Sequence, residues 1–222
     1  MLLRAIRDYP GAPGEPDLRR ATAGLGDVLR RAEREFDLDR LRGLEGEAAH
    51  TYFSVLDDLI VAQKDDFRFR SRTRRPPLDN VNALLSFLYT LLTHDACAAL
   101  EAVGLDPQVG FLHRDRPGRV GLALDLAEEF RAFLADRLAL SLINRRQVAA
   151  PGFITSETGG VGMNDDTRKA VLVAYQQRKA EGIRHPYLNE NTTVGMLVHL
   201  QALMLARRLR GDLDDYPPFL WR

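Results

Sequence analysis

The chain has 222 residues, enough to bury a hydrophobic core as one domain, alone or with a small appendage. Its 45% hydrophobic and 28% charged residues are ordinary for a globular protein. The 31 basic and 31 acidic residues cancel, which argues against a nucleic-acid coat protein but permits a DNA enzyme with local basic patches. A single cysteine excludes an internal disulfide, and no apolar run approaches the roughly 20 residues of a membrane span. We therefore expect a cytoplasmic protein without a membrane partner.

Hydrophobic periodicity predicts a mainly α-helical chain. Apolar residues recur at helical spacing in six segments, and common capping residues such as Asp17, Asp79 and Gly104 stand at the ends of some of them. The predicted helices span about 18–34, 41–64, 79–103, 121–142, 164–179 and 191–209.

The remaining segments should not be helical. Residues 68–77 are basic and end in two prolines, which favours an extended chain, and residues 109–112 are a short strand or an extended loop. Residues 152–163 predict a hairpin that turns at Gly159 and Gly160. The expected architecture is a multi-helix, bundle-like domain with one small β-hairpin. It divides into a linker and the start of the first helix over 1–17, a helical domain over 18–211, and a tail over 212–222.

Glu45 is the first candidate functional residue. In a helix it shares a face with apolar residues, among them Leu41, Ala48 and Tyr52, whereas Glu47 points away. A carboxylate on an apolar face is costly unless it is paired or binds a metal. Taken alone, the residue is explained as well by a local cap or an ion pair with an arginine.

A histidine and two acids form the second candidate group. His113 closes an apolar run, and Asp125 and Glu128, three residues apart, share one helix face. Each has a purely structural explanation: a hydrogen-bonded histidine, and acids that favour a helix N-terminus. Together with Glu45 they would form a mostly oxygen donor set suited to Mg²⁺ or Mn²⁺. Such an ion can activate a hydroxyl and stabilise the transition state of phosphodiester cleavage.

Arginines near these residues indicate the class of substrate. In an extended chain, alternate residues of the segment FRFRSRTRRPP face one side, which would form a strip that contacts phosphates. A solvated loop is an equally good explanation of the charge. The candidate DNA-contacting residues are Arg68, Arg70, Arg72, Arg74 and Arg75 in this segment, Arg116 and Arg119 around the turn after His113, and Arg131 one turn beyond Glu128.

Four stretches resemble the family of CRISPR-associated spacer-acquisition integrases (the Cas-one family). They are RGLEGEAAHTYF at 42–53, RTRRPPLDNVNALLSFLYTLL at 72–92, VGFLHRDRPGRVGLALDLAEEFR at 109–131 and NDDTRKAVLVAYQQRK at 164–179. They follow the family's order and span most of the chain, and their combination is highly specific. The ending YPPFLW suggests the type I-C branch.

The resemblance implies a metal-dependent DNA endonuclease and integrase. In that activity a free 3′ hydroxyl of a prespacer attacks a phosphodiester of the CRISPR repeat. The family's metal ligands fall on Glu45, His113 and Glu128, and Asp125 matches an acid that supports the site. Asn82 and Arg75 match a stretch that lines the DNA channel. The implied partners are DNA, a Cas-two dimer, a Cas-four nuclease and a second copy of the chain.

One feature departs from the family. Its members begin with a β-rich N-terminal domain, which makes much of the dimer contact, whereas here the motifs start close to residue 1. We therefore expect this domain to be absent and integration by this chain alone to be impaired. The alternative function is a non-catalytic helical module for DNA binding or assembly. A hydrolase of a small substrate is disfavoured by the arginines.

Overall fold

A computed structural model describes residues 1–8 and 10–221. Helices dominate these residues, which confirms the predicted fold class. The helices are α1 (Leu2–Asp8), α2 (Glu15–Ala32), α3 (Leu38–Ser54), α4 (Asn80–Ala102), α5 (Gly121–Phe130), α6 (Arg137–Asn144), α7 (Asp165–Ala180) and α8 (Val194–Arg210). The strands are β1 (Phe153–Thr155), β2 (Val161–Met163), β3 (Gly182–Arg184) and β4 (Asn191–Thr193).

The chain folds into two compact units. Unit one contains Met1–Leu84 and Leu140–Asn164, and unit two contains Leu85–Ala139 and Asp165–Arg222. The helical domain predicted over 18–211 therefore comprises parts of both units.

In unit one, helix α3 ends ten residues before the end predicted for this helix near Lys64. Residues after Ser54 form a single 3₁₀ turn and then an extended segment. Side chains hold this backbone instead of helical hydrogen bonds: Asp57 Oδ1 accepts the N–H of Phe69 at 2.8 Å, and the Asn144 amide binds residues 59 and 61. The extended segment carries Phe67, which is fully buried in the core of the unit.

In unit two, the helix predicted over 121–142 has nearly the right extent but is interrupted. Residues Arg131–Asp136 form a π-helical segment between α5 and α6. Such segments are rare and often lie at functional sites. Its last residue, Asp136, is buried and accepts a hydrogen bond from Tyr89 Oη at 2.6 Å. The segment therefore anchors a buried carboxylate directly after the helix that carries Asp125 and Glu128.

The structure has two hairpins among its described residues where one was predicted. The first is confirmed: β1 pairs with β2 antiparallel, and Gly159 lies in the turn at φ +80°. The second, β3 with β4, was missed because its strands, GIR and NTT, lie in a polar stretch without the apolar alternation that predicts a strand. Pairing of residues 191–193 also explains why α8 begins at Val194 and not at 191 or 192. Residues 109–112 form a loop.

By length and composition, helix α4 could span a membrane, so the expectation that no apolar run is long enough was wrong. Many of its apolar side chains are nevertheless buried in the fold, among them Leu84, Leu88, Leu92 and Leu100. Core helices of proteins that never enter a bilayer pass the same test. Its end after residue 102 was predicted well, since Gly104 takes φ +81° and the N–H of Leu105 bonds to the carbonyl of Leu100.

Candidate functional site

In unit two, the loop that carries His113 lies against the first turn of α5. The N–H groups of Leu122 and Gly121 bond to the carbonyls of Pro107 and Gln108 at 2.9 and 3.2 Å. A Cβ on Gly110 would stand 2.8 Å from the carbonyl carbon of Gly121. Glycine at 110 is therefore what allows the loop to come this close to α5.

Asp125, one turn into α5, holds the end of this loop with both carboxylate oxygens. Oδ2 accepts the N–H groups of Phe111 and Leu112 at 2.6 and 3.1 Å, and Oδ1 accepts the N–H of His113 at 3.1 Å. Oδ1 also contacts Nδ1 of the His113 ring at 2.6 Å. Burial alone would raise the pKa of Asp125, but the hydrogen bonds from His113 and from the three backbone N–H groups outweigh it and lower the pKa. Asp125 is therefore ionised near neutral pH.

This contact sets the chemistry that the histidine can perform. An ionised carboxylate only accepts hydrogen bonds, so Nδ1 of His113 carries its proton and donates a hydrogen bond to Asp125. In the neutral ring this leaves the lone pair on Nε2. A histidine whose other nitrogen donates to a carboxylate is the usual arrangement of an imidazole metal ligand. The ring is only 13% exposed, so its orientation is fixed by packing as well.

Glu128 lies three residues after Asp125 on α5, with its side chain 31% exposed. Its Oε1 pairs with Nη1 of Arg131, in the π-helical segment. The Arg131 guanidinium lies over the ring of Tyr89, 4.9 Å from its centroid, and Asp136 holds the Tyr89 hydroxyl. In the described state, the carboxylate predicted to bind metal is therefore neutralised by an arginine that is itself held in place.

Glu45 lies in unit one, on α3, and is half-buried. The two acids point in different directions, as predicted: Glu45 is partly covered, whereas Glu47 is exposed and pairs with Arg31. The nearby arginines pair with other acids: Arg31 with Glu47, and Arg42 with Asp39. In the described part of the chain, the ion pairs of these two arginines are therefore with acids other than Glu45.

The structure brings together His113 and Asp125 in unit two, with Glu128 one helical turn further on, while Glu45 belongs to unit one. Within residues 1–8 and 10–221, no group of three or more His, Cys, Asp and Glu side chains could hold a metal ion. The part of the predicted site that the geometry supports directly is the oriented histidine.

The arginines of the segment 68–75 differ in their exposure to solvent. Four of its arginines are exposed, namely Arg68, Arg70, Arg74 and Arg75. Arg72 is half-buried and donates from Nη1 to Oδ1 of Asn82 at 2.8 Å. Arg116, in the turn after His113, is exposed, and Arg119 is half-buried.

Asn82 is fully buried, at 0% exposure, and organises this segment from within. Its Oδ1 accepts the N–H of Thr73 at 3.0 Å as well as the Arg72 guanidinium. Its Nδ2 donates to the Ser71 carbonyl at 2.8 Å and to Asp79 Oδ2 at 2.6 Å. Asn82 and Arg72 thus shape the segment that presents the four exposed arginines, instead of facing solvent themselves.

The sequence did not predict a polar cluster around Glu129, which is half-buried and contacts the buried Gln201. Burial raises the pKa of this carboxyl, although hydrogen bonds from Tyr216, the Phe219 N–H and Gln201 oppose the rise. The pair Glu128–Glu129 could have predicted this cluster. Adjacent residues of a helix point in different directions, so if Glu128 faces outward, Glu129 lies toward the side of α5 that carries the buried Leu126. The partner in the chain's last residues could not be predicted, because the tail has no helical pattern.

Comparison with known proteins shows the family to which the chain belongs. Residues 1–177 match the model of the family described as CRISPR-associated protein Cas1. The chain is 56% identical over 221 residues to a CRISPR-associated endonuclease Cas1 of Chlorobaculum tepidum, covering 100% of this chain and 64% of that protein. It is 38% identical over 216 residues to an exonuclease Cas4/endonuclease Cas1 fusion of Geobacter sulfurreducens, covering 94% of this chain and 38% of the fusion.

Solved structures show the same fold. A Cas1 protein from Thermotoga maritima superposes with a TM-score of 0.75 and 32% identity, covering 85% of this chain and 58% of that one. A chain of a Cas6-RT-Cas1–Cas2 complex superposes with a TM-score of 0.81 over 95% of this chain and 23% of its own length, at 23% identity. The chain thus spans only part of the length of these proteins. None of these matches names a branch, so the type I-C assignment stays a prediction.

Proposed function

Because the chain belongs to the CRISPR-associated Cas1 family, we propose that it is a metal-dependent DNA endonuclease and integrase of CRISPR adaptation in the cytoplasm. The observation that carries this proposal is the His113–Asp125 contact at 2.6 Å. It orients the ring with Nδ1 toward the carboxylate, which leaves Nε2 as the nitrogen that would bind a metal, at the position where the family resemblance requires a ligand.

The proposed ligands of the ion are Glu45, His113 and Glu128. Carboxylate oxygens with one imidazole fit Mg²⁺ or Mn²⁺. When bound, such an ion holds a phosphodiester oxygen and stabilises charge that develops in the transition state. Asp125 orients His113 and keeps the proton on Nδ1. Arg131, which pairs with Glu128 in the described state, becomes available to a DNA phosphate once that carboxylate has another cation.

The proposed substrates are a short prespacer DNA with a free 3′ hydroxyl and the CRISPR repeat that it attacks. A DNA strand carries a row of phosphates, so a protein that binds it needs several cationic side chains close together. One short segment has four exposed arginines: Arg68, Arg70, Arg74 and Arg75. Arg116 and Arg119 follow His113 closely in the chain, so they would contact DNA near the ion.

The proposed partners are Cas2 and Cas4 proteins and a second copy of the chain. A protein of similar fold occurs in a complex with Cas2, and a relative is fused to Cas4. A fusion joins proteins that act together, which favours Cas4 as a partner here.

The proposed DNA contact predicts a specific effect on salt dependence. Binding of double-stranded DNA should weaken steeply with salt, with a slope of about −0.9 in log K for each phosphate neutralised. Replacing Arg68, Arg70 and Arg74 by Ala should make the slope less steep by about 2 to 3. Fluorescence anisotropy over a salt series measures both values.

The matched control removes three arginines of α2 that are paired with acids of the same helix: Arg19 with Glu15, Arg20 with Asp17 and Arg30 with Asp27. The net charge changes equally in both triple variants. If the two variants flatten the slope alike, the effect is general charge and the segment is only a solvated loop.

A cleavage assay on branched DNA with Mn²⁺ separates the proposed enzyme from a non-catalytic binding module. The enzyme nicks the branch, and nicking requires Glu45. A module that binds the same DNA without nicking it, at Mn²⁺ concentrations that saturate the protein, would contradict the proposed activity.

A further inference from the structure

The last described residues of the chain, 212–221 (the tail), lie against helix α5 within unit two. They contain no helix or strand and include the pair Pro217–Pro218. A segment without regular structure keeps its place only through side-chain contacts and isolated backbone hydrogen bonds. The position of those contacts therefore shows what the tail holds.

The polar contacts converge on one carboxylate of α5. Glu129 Oε1 accepts the hydroxyl of Tyr216 at 2.5 Å, and Oε2 accepts the N–H of Phe219 at 2.7 Å and Nε2 of Gln201 at 3.0 Å. Gln201 Nε2 also lies 3.0 Å from the carbonyl of Pro217. Two of the three donors to Glu129 thus come from the tail, and the third, Gln201, also holds the tail.

The apolar contacts reach the same place on the helix. The Phe219 ring, 4% exposed, stacks on Phe130 with centroids 5.1 Å apart and meets Phe133 edge-on at 5.1 Å. Trp221 contacts Phe133 at 5.4 Å. Phe130 and Phe133 flank Arg131, at the point where α5 passes into the π-helical segment.

These contacts surround the residues proposed to build the metal site. Glu129 follows Glu128 directly, Phe130 precedes Arg131, and Asp125 lies one turn earlier on the same helix. We infer that the tail is a positioning element: through its contacts with Glu129 and Phe130, it fixes the end of α5, and so fixes the backbone position from which Glu128 would bind a metal. This inference rests on the proposed function.

The alternative is that the tail stabilises unit two without any particular effect on the site. The chain offers a matched pair of tyrosines to distinguish the two. Tyr216 and Tyr175 are both largely buried and donate to carboxylates, Tyr216 to Glu129 and Tyr175 to Asp95 at 2.7 Å. Both lie in unit two, but Tyr175 is on α7 and makes its contact with α4. Removing either hydroxyl takes one donor from a half-buried carboxylate that keeps other partners: Glu129 keeps Phe219 and Gln201, and Asp95 keeps Lys179.

The experiment measures Mn²⁺ affinity, from the electron paramagnetic resonance signal of free Mn²⁺, and thermal stability without metal. Tyr216→Phe is expected to weaken Mn²⁺ binding by about 10-fold, the low end of the range for loss of an outer-shell partner, because Tyr216 acts on Glu128 only through its neighbour Glu129. Phe219→Ala should act in the same direction. Tyr175→Phe should lower the melting temperature comparably yet leave Mn²⁺ affinity within about twofold. Leu220→Ala, in the exposed part of the tail, should change neither.

Two results would overturn the inference. One is equal weakening of Mn²⁺ binding by Tyr216→Phe and Tyr175→Phe, which would indicate a general stability effect. The other is wild-type affinity in both Tyr216→Phe and Phe219→Ala. Failure of the proposed function looks different: then the wild-type chain binds no Mn²⁺, or His113→Ala binds it as tightly as wild type.

Discussion

Replacing Glu45 by Gln is expected to abolish Mn²⁺-dependent cleavage of branched DNA. The substitution keeps the size of the side chain but removes the charge that binds a cation and replaces one accepting oxygen by a donor. The rate should fall at least about 100-fold, because loss of even an outer-shell partner typically costs about 10- to 100-fold in metal affinity or activity. Single-turnover cleavage at fixed Mn²⁺ measures the effect.

Glu47→Gln is the matched control for this experiment. Glu47 stands two residues away on α3, is exposed and pairs with Arg31, so its loss should change the rate by less than about twofold. If Glu45→Gln cleaves as fast as wild type, Glu45 is not a ligand. Equal loss in both variants would point to a general effect on α3.

The second large effect is expected for Asp125→Asn. The carboxylate accepts three backbone N–H groups and the His113 ring. An amide has one accepting oxygen, so at least one donor pair loses its partner whichever way the amide turns. Unfolding free energy should fall on the order of 3 kcal/mol, since hydrogen bonds to charged groups each contribute about 1.5–3 kcal/mol. Mn²⁺ affinity should fall about 10- to 100-fold because His113 is no longer oriented.

The pH dependence of stability has a defined sign. The pKa of Asp125 is lowered in the folded state, so its stabilisation is complete above the ordinary aspartate pKa and is lost as pH falls through the lowered value. Urea unfolding at several pH values should show this acid loss in wild type and in the control Asp115→Asn, an exposed acid of the turn after His113. If the unfolding free energy of Asp125→Asn falls at low pH as much as that of the wild type, contacts other than those of Asp125 hold the loop.

Helix positions could be predicted from the sequence wherever periodicity and caps agreed. The end of α4 near Gly104 and the extent of α7 were predicted to within a few residues, since each pattern matched a local backbone requirement. The predicted end of α3 was wrong because Asp57 and Asn144 form hydrogen bonds with the backbone after Ser54. Asn144 lies more than 80 residues further along the chain. No local pattern reports such a contact.

The sequence named the candidate residues of the site, but it did not predict several of the contacts that they make. Spacing placed Asp125 and Glu128 on one face of α5, and the chemistry of histidine singled out His113. Sequence alternation put Arg72 among the exposed arginines, whereas the fold turns it toward the buried Asn82. Alternation assumes a regular strand, and residues 68–77 do not form one.

The tail lay beyond sequence prediction for a similar reason. Tyr216 and Phe219 are aromatic residues in a proline-rich stretch, a composition that also fits a disordered end. Only the fold reveals that their partners are Glu129 and Phe130, about 90 residues earlier in the chain.

The central claim is that His113, oriented by Asp125, binds a divalent ion through Nε2. Electron spin echo modulation of bound Mn²⁺ tests it most directly, because a coordinated imidazole nitrogen adds a ¹⁴N modulation that oxygen ligands lack. We expect one bound Mn²⁺ with this modulation in the wild-type chain and in His50→Ala and His199→Ala, and its loss in His113→Ala. Mn²⁺ bound without ¹⁴N modulation, or modulation that persists in His113→Ala, would show that His113 is not a ligand.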